Sequence, residues 1–186
     1  MATTRQLLIK AAARLLDEGG PSAVTLRAVG EIAGVSHNAP YKHFADKQDL
    51  LAAVAAGELR ALTRAMKSAA ARRTSATGKV EASAIAYVRW AQTHPARFKL
   101  TFGSWDGEHD ELGEAAATAV ESMRKGVGVA TAQGALRGDP EQSAALIWAL
   151  GHGAVDLSLS GHLGKGSKAI TPERLVKVLI QTLSAR

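Results

Sequence analysis

Between Ser36 and His43 the chain places a hydroxyl (Ser36), two imidazoles (His37, His43), an amide (Asn38), a phenol (Tyr41) and an ammonium group (Lys42). Side chains of these types donate and accept hydrogen bonds to base edges, and the cationic ones also hold phosphates. Arg27 adds a guanidinium ten residues upstream of His37. Lys47 is a separate clue. Asp46 and Asp49 have the spacing of an N-cap and N3 pair opening a long helix, and a lysine in that first turn opposes the helix dipole. The placement makes sense where a phosphate docks, since helix N-termini are anion sites, and Thr25 offers a second such start.

Short, regular elements must position this set. Thr25 is an N-cap for a helix that puts Leu26, Val29, Ile32 and Ala33 on one face, with Arg27 and Glu31 elsewhere. Gly34 suits the left-handed residue that closes it, and Val35 is expected to be buried by the turn. Ser36 is read as the cap of a second helix, His37 to His43. Seven residues do not hold a helix alone, so its inner face must pack on the preceding helix and on Phe44. An earlier helix, Thr4 to Gly19, carries the stripe Leu8, Ala11, Ala12, Leu15 and Leu16 that covers the other two. The layout is that of a helix-turn-helix whose second helix is sized for the major groove.

The residues Thr25, Arg27, Ala33, Gly34, Val35, Ser36, Tyr41, His43, Phe44 and Lys47 resemble, at their fixed spacings, the DNA-binding domain of the TetR/AcrR family of bacterial transcriptional regulators. The resemblance covers roughly the first 55 residues. It implies DNA contacts from Thr25, Arg27, Ser36, His37, Asn38, Ala39, Tyr41, Lys42, His43 and Lys47, with Thr25, Tyr41 and Lys47 on phosphates. Two positions depart from the family pattern. Gly30 stands mid-helix where alanine is usual, a change costing about 1 kcal/mol in an exposed helix unless close packing requires it. Pro40 stands where leucine is common; with Ser36 as cap it forfeits one backbone bond, to the cap carbonyl, and stiffens the helix.

Composition agrees with an all-α architecture of about nine helices. Alanine and leucine dominate the apolar fraction, aromatics are 4%, and no alternating Val/Ile/Thr run suggests a strand. A chain of 186 residues holds one domain or two small ones. The absence of cysteine excludes disulfides and thiolate metal sites. No signal peptide opens the chain, and its most apolar stretch, Ala144 to Leu159, contains His152 and Asp156 and is shorter than the roughly 20 residues of a membrane span. A soluble, cytoplasmic protein with no membrane partner is expected. The net charge of +6 is uneven: residues 1–75 carry 11 Lys/Arg against 6 Asp/Glu, and the rest are nearly balanced. A polyanionic partner of the N-terminal part fits this excess, although Arg60, Arg64, Lys67, Arg72 and Arg73 read equally well as a solvated helix face.

The expected organisation is a helix-turn-helix domain (1–50), a connecting helix and linker (51–78) and a C-terminal ligand-sensing and dimerisation bundle (79–186). The connecting helix runs from Lys47 to about Ala71, followed by the polar run Arg72 to Gly78 and a helix from Lys79 to Thr93. A short helix carries Phe98, Leu100 and Phe102. A longer one runs from about Glu108 to Gln133 and is expected to be interrupted at Gly126 and Gly128. Asp139-Pro140 and Thr171-Pro172 mark the starts of two final helices, ending near Leu159 and Leu183.

In those two helices Gly151, Leu157, Leu175, Val178, Leu179 and Leu183 are candidates for a homodimer interface, because the last helix carries more apolar surface than one packing side needs. TetR-like regulators dimerise through their last two helices, so the resemblance favours a dimer over a buried core pair. Trp148-Ala-Leu-Gly-His152-Gly153 resembles the tryptophan-histidine-glycine signature of a C-terminal domain in a subset of the family, and Tyr87 to Phe98 resembles its earlier helix pair. Two readings stay open for Trp148 and His152: packed core residues, or part of an effector cavity with Tyr87, Trp90, Phe98, Phe102 and Trp105.

The resemblance thus implies a repressor that binds a palindromic, double-stranded operator as a dimer and is released by a small molecule. The alternatives are a constitutive dimeric DNA-binding protein and an all-helical enzyme. No HExxH, GxSxG or phosphate-loop spacing occurs, and the glycine-rich run Gly161 to Gly166 follows a helix, so no enzyme, no cofactor and no metal site are expected.

Overall fold

A computed structural model describes residues 2–164 and 170–185. Among them the fold is all helical, with α1 (Thr4–Ala23), α2 (Leu26–Ala33), α3 (Ala39–His43), α4 (Lys47–Ala71), α5 (Ala76–Thr93), α6 (Pro95–Thr101), α7 (Asp110–Ala132), α8 (Pro140–Leu159) and α9 (Pro172–Leu183). The chain divides into two compact units, residues 1–60 with 94–117, and residues 61–93 with 118–186.

In the first unit, local chemistry starts and stops the helices. Thr3 and Gln6 form a reciprocal capping box for α1, each side chain accepting from the other's backbone N–H. The regular part of α1 ends at Gly19 and Gly20, whose dihedrals leave the helical region, and Pro21 to Ala23 add one separate turn. Thr25 caps α2 as expected, its hydroxyl accepting from Ala28 N–H at 3.1 Å. Gly34 closes α2 with φ 67°, a left-handed conformation that needs no Cβ. Leu8, Leu16, Val24, Val29, Phe44 and Leu50 form the fully buried core, with Leu15, Leu26, Ala33 and Val35 only partly covered. Two expectations are corrected here. Val35 is half-buried rather than enclosed, and Ile32 is exposed, its place on the inner side of α2 being taken by buried Gly30 beside Val29.

Ion pairs fix α6 and the start of α7 within this unit. The Arg97 guanidinium donates to both carboxylate oxygens of Asp17 on α1 and, at 2.9 Å, to Glu58 on α4. Glu111 accepts from Arg5 at 2.5 Å and Arg60 at 2.6 Å. Burial alone would push the Glu111 carboxyl up, but the two guanidinium groups hold it below the usual range.

In the second unit, α5, α8 and α9 pack on one another around Val88, Val155, Val176 and Ile180. Asp139 caps α8 by accepting from Gln142 N–H at 2.8 Å, and Thr171 caps α9 by accepting from Arg174 N–H at 3.2 Å, each followed by proline as its position predicts. The end of α9 is tied down by Arg137, whose N–H donates to the Leu183 carbonyl and whose Nε donates to that of Ser184.

Two further boundaries differ from the sequence reading. α5 begins at Ala76 rather than Lys79, because the Ser75 hydroxyl accepts from Gly78 N–H at 3.1 Å and caps it early. α7 is continuous through Gly126 and Gly128. A glycine lowers helix propensity without breaking the hydrogen-bond ladder, so the pair weakens α7 but does not interrupt it. Gly161 to Gly164 follow α8 as a loop; Lys165 and Gly166 lie outside the described residues.

Candidate nucleic-acid interface

The helix at the centre of the surface proposed for DNA begins two residues later than the sequence suggests. Ser36 does not cap a helix at His37. Its carbonyl accepts from Ala39 N–H at 2.9 Å in a tight turn, and α3 proper runs from Ala39 to His43 with Asn38 at the N-cap position. Pro40 is the cause. In a helix starting at His37, the N–H bonding back to the Ser36 carbonyl would have to come from Pro40, which has none. Moving the start to Ala39 puts proline in the first turn, where N–H groups have no helical partner anyway, so no backbone bond is forfeited. The expected cost is therefore corrected to none.

This start leaves the Asn38 side chain uncommitted to capping and exposed, next to exposed His37. His37 and Tyr41 meet edge-on at 6.0 Å, one turn apart. Tyr41, Lys42 and His43 are exposed, Ala39 is half-buried, and Pro40 and Phe44 form the inward side, with Phe44 N–H donating to the Pro40 carbonyl. At the flanks, Thr25 and Lys47 stand at the starts of α2 and α4. Asp46 accepts from Asp49 N–H at 2.8 Å, and the Asp49 carboxylate accepts from Ala45 N–H at 3.0 Å, so both acidic groups are spent on the turn and neither pairs with Lys47. Arg27 is paired with Glu31 one turn on, at 3.1 Å, both exposed. An exposed pair of this kind is worth at most ~1 kcal/mol, so Arg27 exchanges Glu31 for a phosphate or base edge at little cost.

The second unit holds the other candidates. On α5, Tyr87 is buried and its hydroxyl lies 2.8 Å from His152 Nδ1 on α8. Trp148 lies one turn before His152, the rings edge-on at 6.3 Å, and its indole N–H bonds to the Tyr87 phenol. An indole only donates, so the phenol oxygen accepts from Trp148, while the direction of its bond with Nδ1 follows the imidazole tautomer. Burial pushes the Tyr87 phenol well above its ordinary range and the Trp148 bond opposes it only in part. Burial likewise lowers the His152 imidazole, against the opposing charge of Asp156. Trp148 itself is 42% exposed, so it is not a core residue. Trp90 is half-buried on α5. Phe98, Phe102 and Trp105 belong to the first unit, where Phe98 is buried against Phe102 and Trp105 meets His109 edge-on.

Of the interface candidates, Leu157 and Val178 are exposed, and Leu175, Leu179 and Leu183 are half-buried. Gly151 is placed inward instead: a Cβ there would meet Val176, Tyr87 and Val88 at 3.6 to 3.9 Å, so it serves close packing of α8 on its own α5 and α9. Gly153 is the glycine on the open side, and with exposed Leu146, Ala149 and Leu157 it forms one helical stripe. Sequence reasoning missed Leu146, although it falls in register with Gly153 and Leu157.

Two family models match this chain, one described as bacterial regulatory proteins of the tetR family over residues 8–54, the other as a tetracyclin repressor-like C-terminal domain over residues 80–183. The chain belongs to the TetR family. It is accordingly a DNA-binding transcriptional regulator, and not an enzyme. Among curated proteins none matches significantly.

Solved structures carry the same fold over the whole length of the TetR-family chain. A protein with unknown function from Rhodococcus sp. RHA1 is 29% identical, with 100% of this chain and 97% of that one covered and a TM-score of 0.85. A TetR family transcription regulator from Shewanella sp. PV-4 is 18% identical, with complete coverage of both chains and a TM-score of 0.70. The fatty acid degradation regulator FadR from Bacillus halodurans is 14% identical, with 98% and 95% covered and a TM-score of 0.72. At the last two identities the likeness is one of fold.

Proposed function

We propose that this TetR-family regulator is a cytoplasmic repressor that binds a palindromic operator as a homodimer and releases it when a small molecule occupies the second unit. The observation that carries the reading is the division of labour on α8. One stripe of that helix, Leu146, Ala149, Gly153 and Leu157, is apolar and open to solvent, and its partner helix α9 adds exposed Val178. Positions between them carry Trp148 and His152, linked to buried Tyr87. The helix thus offers a surface that a second copy would cover and, beside it, an aromatic and polar group fit to bind a ligand. We read Trp148 to Gly153 as the tryptophan-histidine-glycine signature of the corresponding family subset. Thr25, Tyr41 and Lys47 clamp phosphates, while Arg27, His37, Asn38, Lys42 and His43, with Ser36 and Ala39 alongside, face the bases.

Two symmetric heads match half-sites about one DNA turn, or a multiple of it, apart, and a ligand that favours another arrangement of the dimer weakens binding by its differential affinity for the two states. The test is a melting series of the protein with aromatic carboxylic acids, long-chain acyl compounds and planar polycyclic cations, followed by release of bound DNA. One class should raise the melting temperature and free the duplex, and Tyr87→Phe should blunt both effects. Stabilisation by none of the three would remove the effector from the account and favour a constitutive binder.

A further inference from the structure

The two departures from the family pattern in the head, Gly30 and Pro40, meet each other. Gly30 lies on the buried side of α2 and Pro40 on the buried side of α3. A Cβ built on Gly30 would sit 3.0 Å from Pro40 Cγ and 3.5 Å from Cδ. Carbon atoms in good contact lie about 3.5–4.0 Å apart, so any side chain at 30 forces one partner to move. The pyrrolidine ring is tied to its own backbone and yields only by a change of pucker, not by swinging aside as a flexible side chain would. Much of the movement therefore falls on α3. That helix has five residues and no side-chain cap, and its entry turn, Ser36 to Asn38, is held by the single Ala39 to Ser36 backbone bond. The Gly30 carbonyl also accepts from Val35 N–H at 3.2 Å, so the same residue anchors the turn leading into the reading segment.

We propose that Gly30 is a positioning residue for operator reading: it seats the Pro40 ring against the α2 backbone and thereby sets the height and tilt at which His37 to His43 meet the base edges. The inference rests on reading that segment as the base-contacting surface. Recognition groups must be held within about 0.5 Å and 10–20°, so the few tenths of an ångström demanded at Pro40 use up most of that margin, and any tilt of α3 carries its side-chain tips past it before folding suffers. Of the three phosphate clamps, Thr25 and Lys47, at the starts of α2 and α4, are not displaced by a shift of α3, and only Tyr41 moves with it, so binding that ignores sequence is largely kept.

Gly30→Ala separates positioning from structure, because alanine is the better helix former and does not by itself weaken α2. The probes are a duplex that the wild-type protein selects from a random-sequence pool and a scrambled duplex of the same composition. Gly30→Ala should lose about tenfold or more in affinity for the selected duplex, keep its affinity for the scrambled one within twofold, and melt no more than a few degrees below wild type. With Pro40→Ala already in place, which removes most of the ring, adding Gly30→Ala should cost less than half the discrimination, on a logarithmic scale, that it costs in wild type. An alanine variant that discriminates as wild type does would overturn the inference, as would equal losses on both duplexes or an equal cost of Gly30→Ala in the two backgrounds. A wild-type protein that selects no consensus at all would overturn the reading of the segment and the inference with it.

Discussion

Lys47 and Asn38 are expected to act on DNA in different currencies. Lys47 stands at the start of α4 with its neighbouring carboxylates committed to backbone N–H groups, so its charge is available to a phosphate. Lys47→Ala should weaken binding to every sequence and reduce the slope of log affinity against log salt by about 1. The Asn38 amide is exposed and uncommitted, and Asn38→Ala should cost about 1–3 kcal/mol on duplexes with the preferred base and little on the others. Titrations at several salt concentrations check both; identical profiles would contradict the assigned roles. His152 supplies a pH signature. Its proton is bound less readily in the folded chain than in the unfolded one, because burial disfavours the charged imidazole. The unfolded chain therefore takes up that proton first as pH falls. The penalty is absent well above the ordinary histidine value of about 6.5, grows as pH drops below it, and levels off under the folded value. Melting wild type and His152→Gln from pH 8 to 5 should show wild type losing ground to the variant below about pH 6.5. A difference that is constant with pH would contradict an imidazole whose half-buried setting disfavours its charged form.

Among the elements, α6 is the one whose place depends most visibly on charge. Arg97 bridges α1 and α4 through two carboxylates and is itself largely covered. Arg97→Ala removes the guanidinium bonds to Asp17 and Glu58 and should lower unfolding free energy by about 1–3 kcal/mol, read by urea titration. A loss under a few tenths would reduce the bridge to decoration. The helices that were legible in the sequence are those whose ends are set by local chemistry: α4, α8 and α9 begin where Asp46, Asp139 and Thr171 cap them. α3 was misjudged at its start because Ser36 is a good capping residue in isolation, while the outcome was decided by Pro40 four residues on. α5 was misjudged because Ser75 sits in a polar run that reads as a linker. Ile32 was misassigned because periodicity identifies a face of a helix but not which of its edges another element covers; α3 packs beside Gly30, and Ile32 is left exposed. The same gap affects the aromatic residues grouped from sequence. Tyr87, Trp148 and His152 come together, whereas Phe98, Phe102 and Trp105 fall in the other compact unit, a tertiary placement that no spacing encodes.

At the scale of the whole molecule, the family fixes a DNA-binding regulator, and the charge distribution fits that partner, since the positive excess lies in residues 1–75. No helix among the described residues is long and apolar enough to cross a membrane, and among the same residues no group of three or more metal-binding side chains occurs. The proposed working state is a dimer whose two heads must engage DNA together. Replacing Val178, half exposed on α9, by glutamate would place charge on the surface proposed for the partner copy. Val178→Glu should shift sedimentation toward the monomer and cut operator affinity by more than tenfold, while leaving the fold of each unit intact; a variant that remains dimeric would move the interface elsewhere. Operator binding by a dimer is tested most directly by a footprint of the purified protein on the DNA flanking its own gene, across a range of salt concentrations. A protected palindrome whose half-sites are about one helical turn apart, or a multiple of it, and whose protection fades as salt rises, is the predicted result. No protected palindrome even at low salt would contradict the dimeric repressor proposed here.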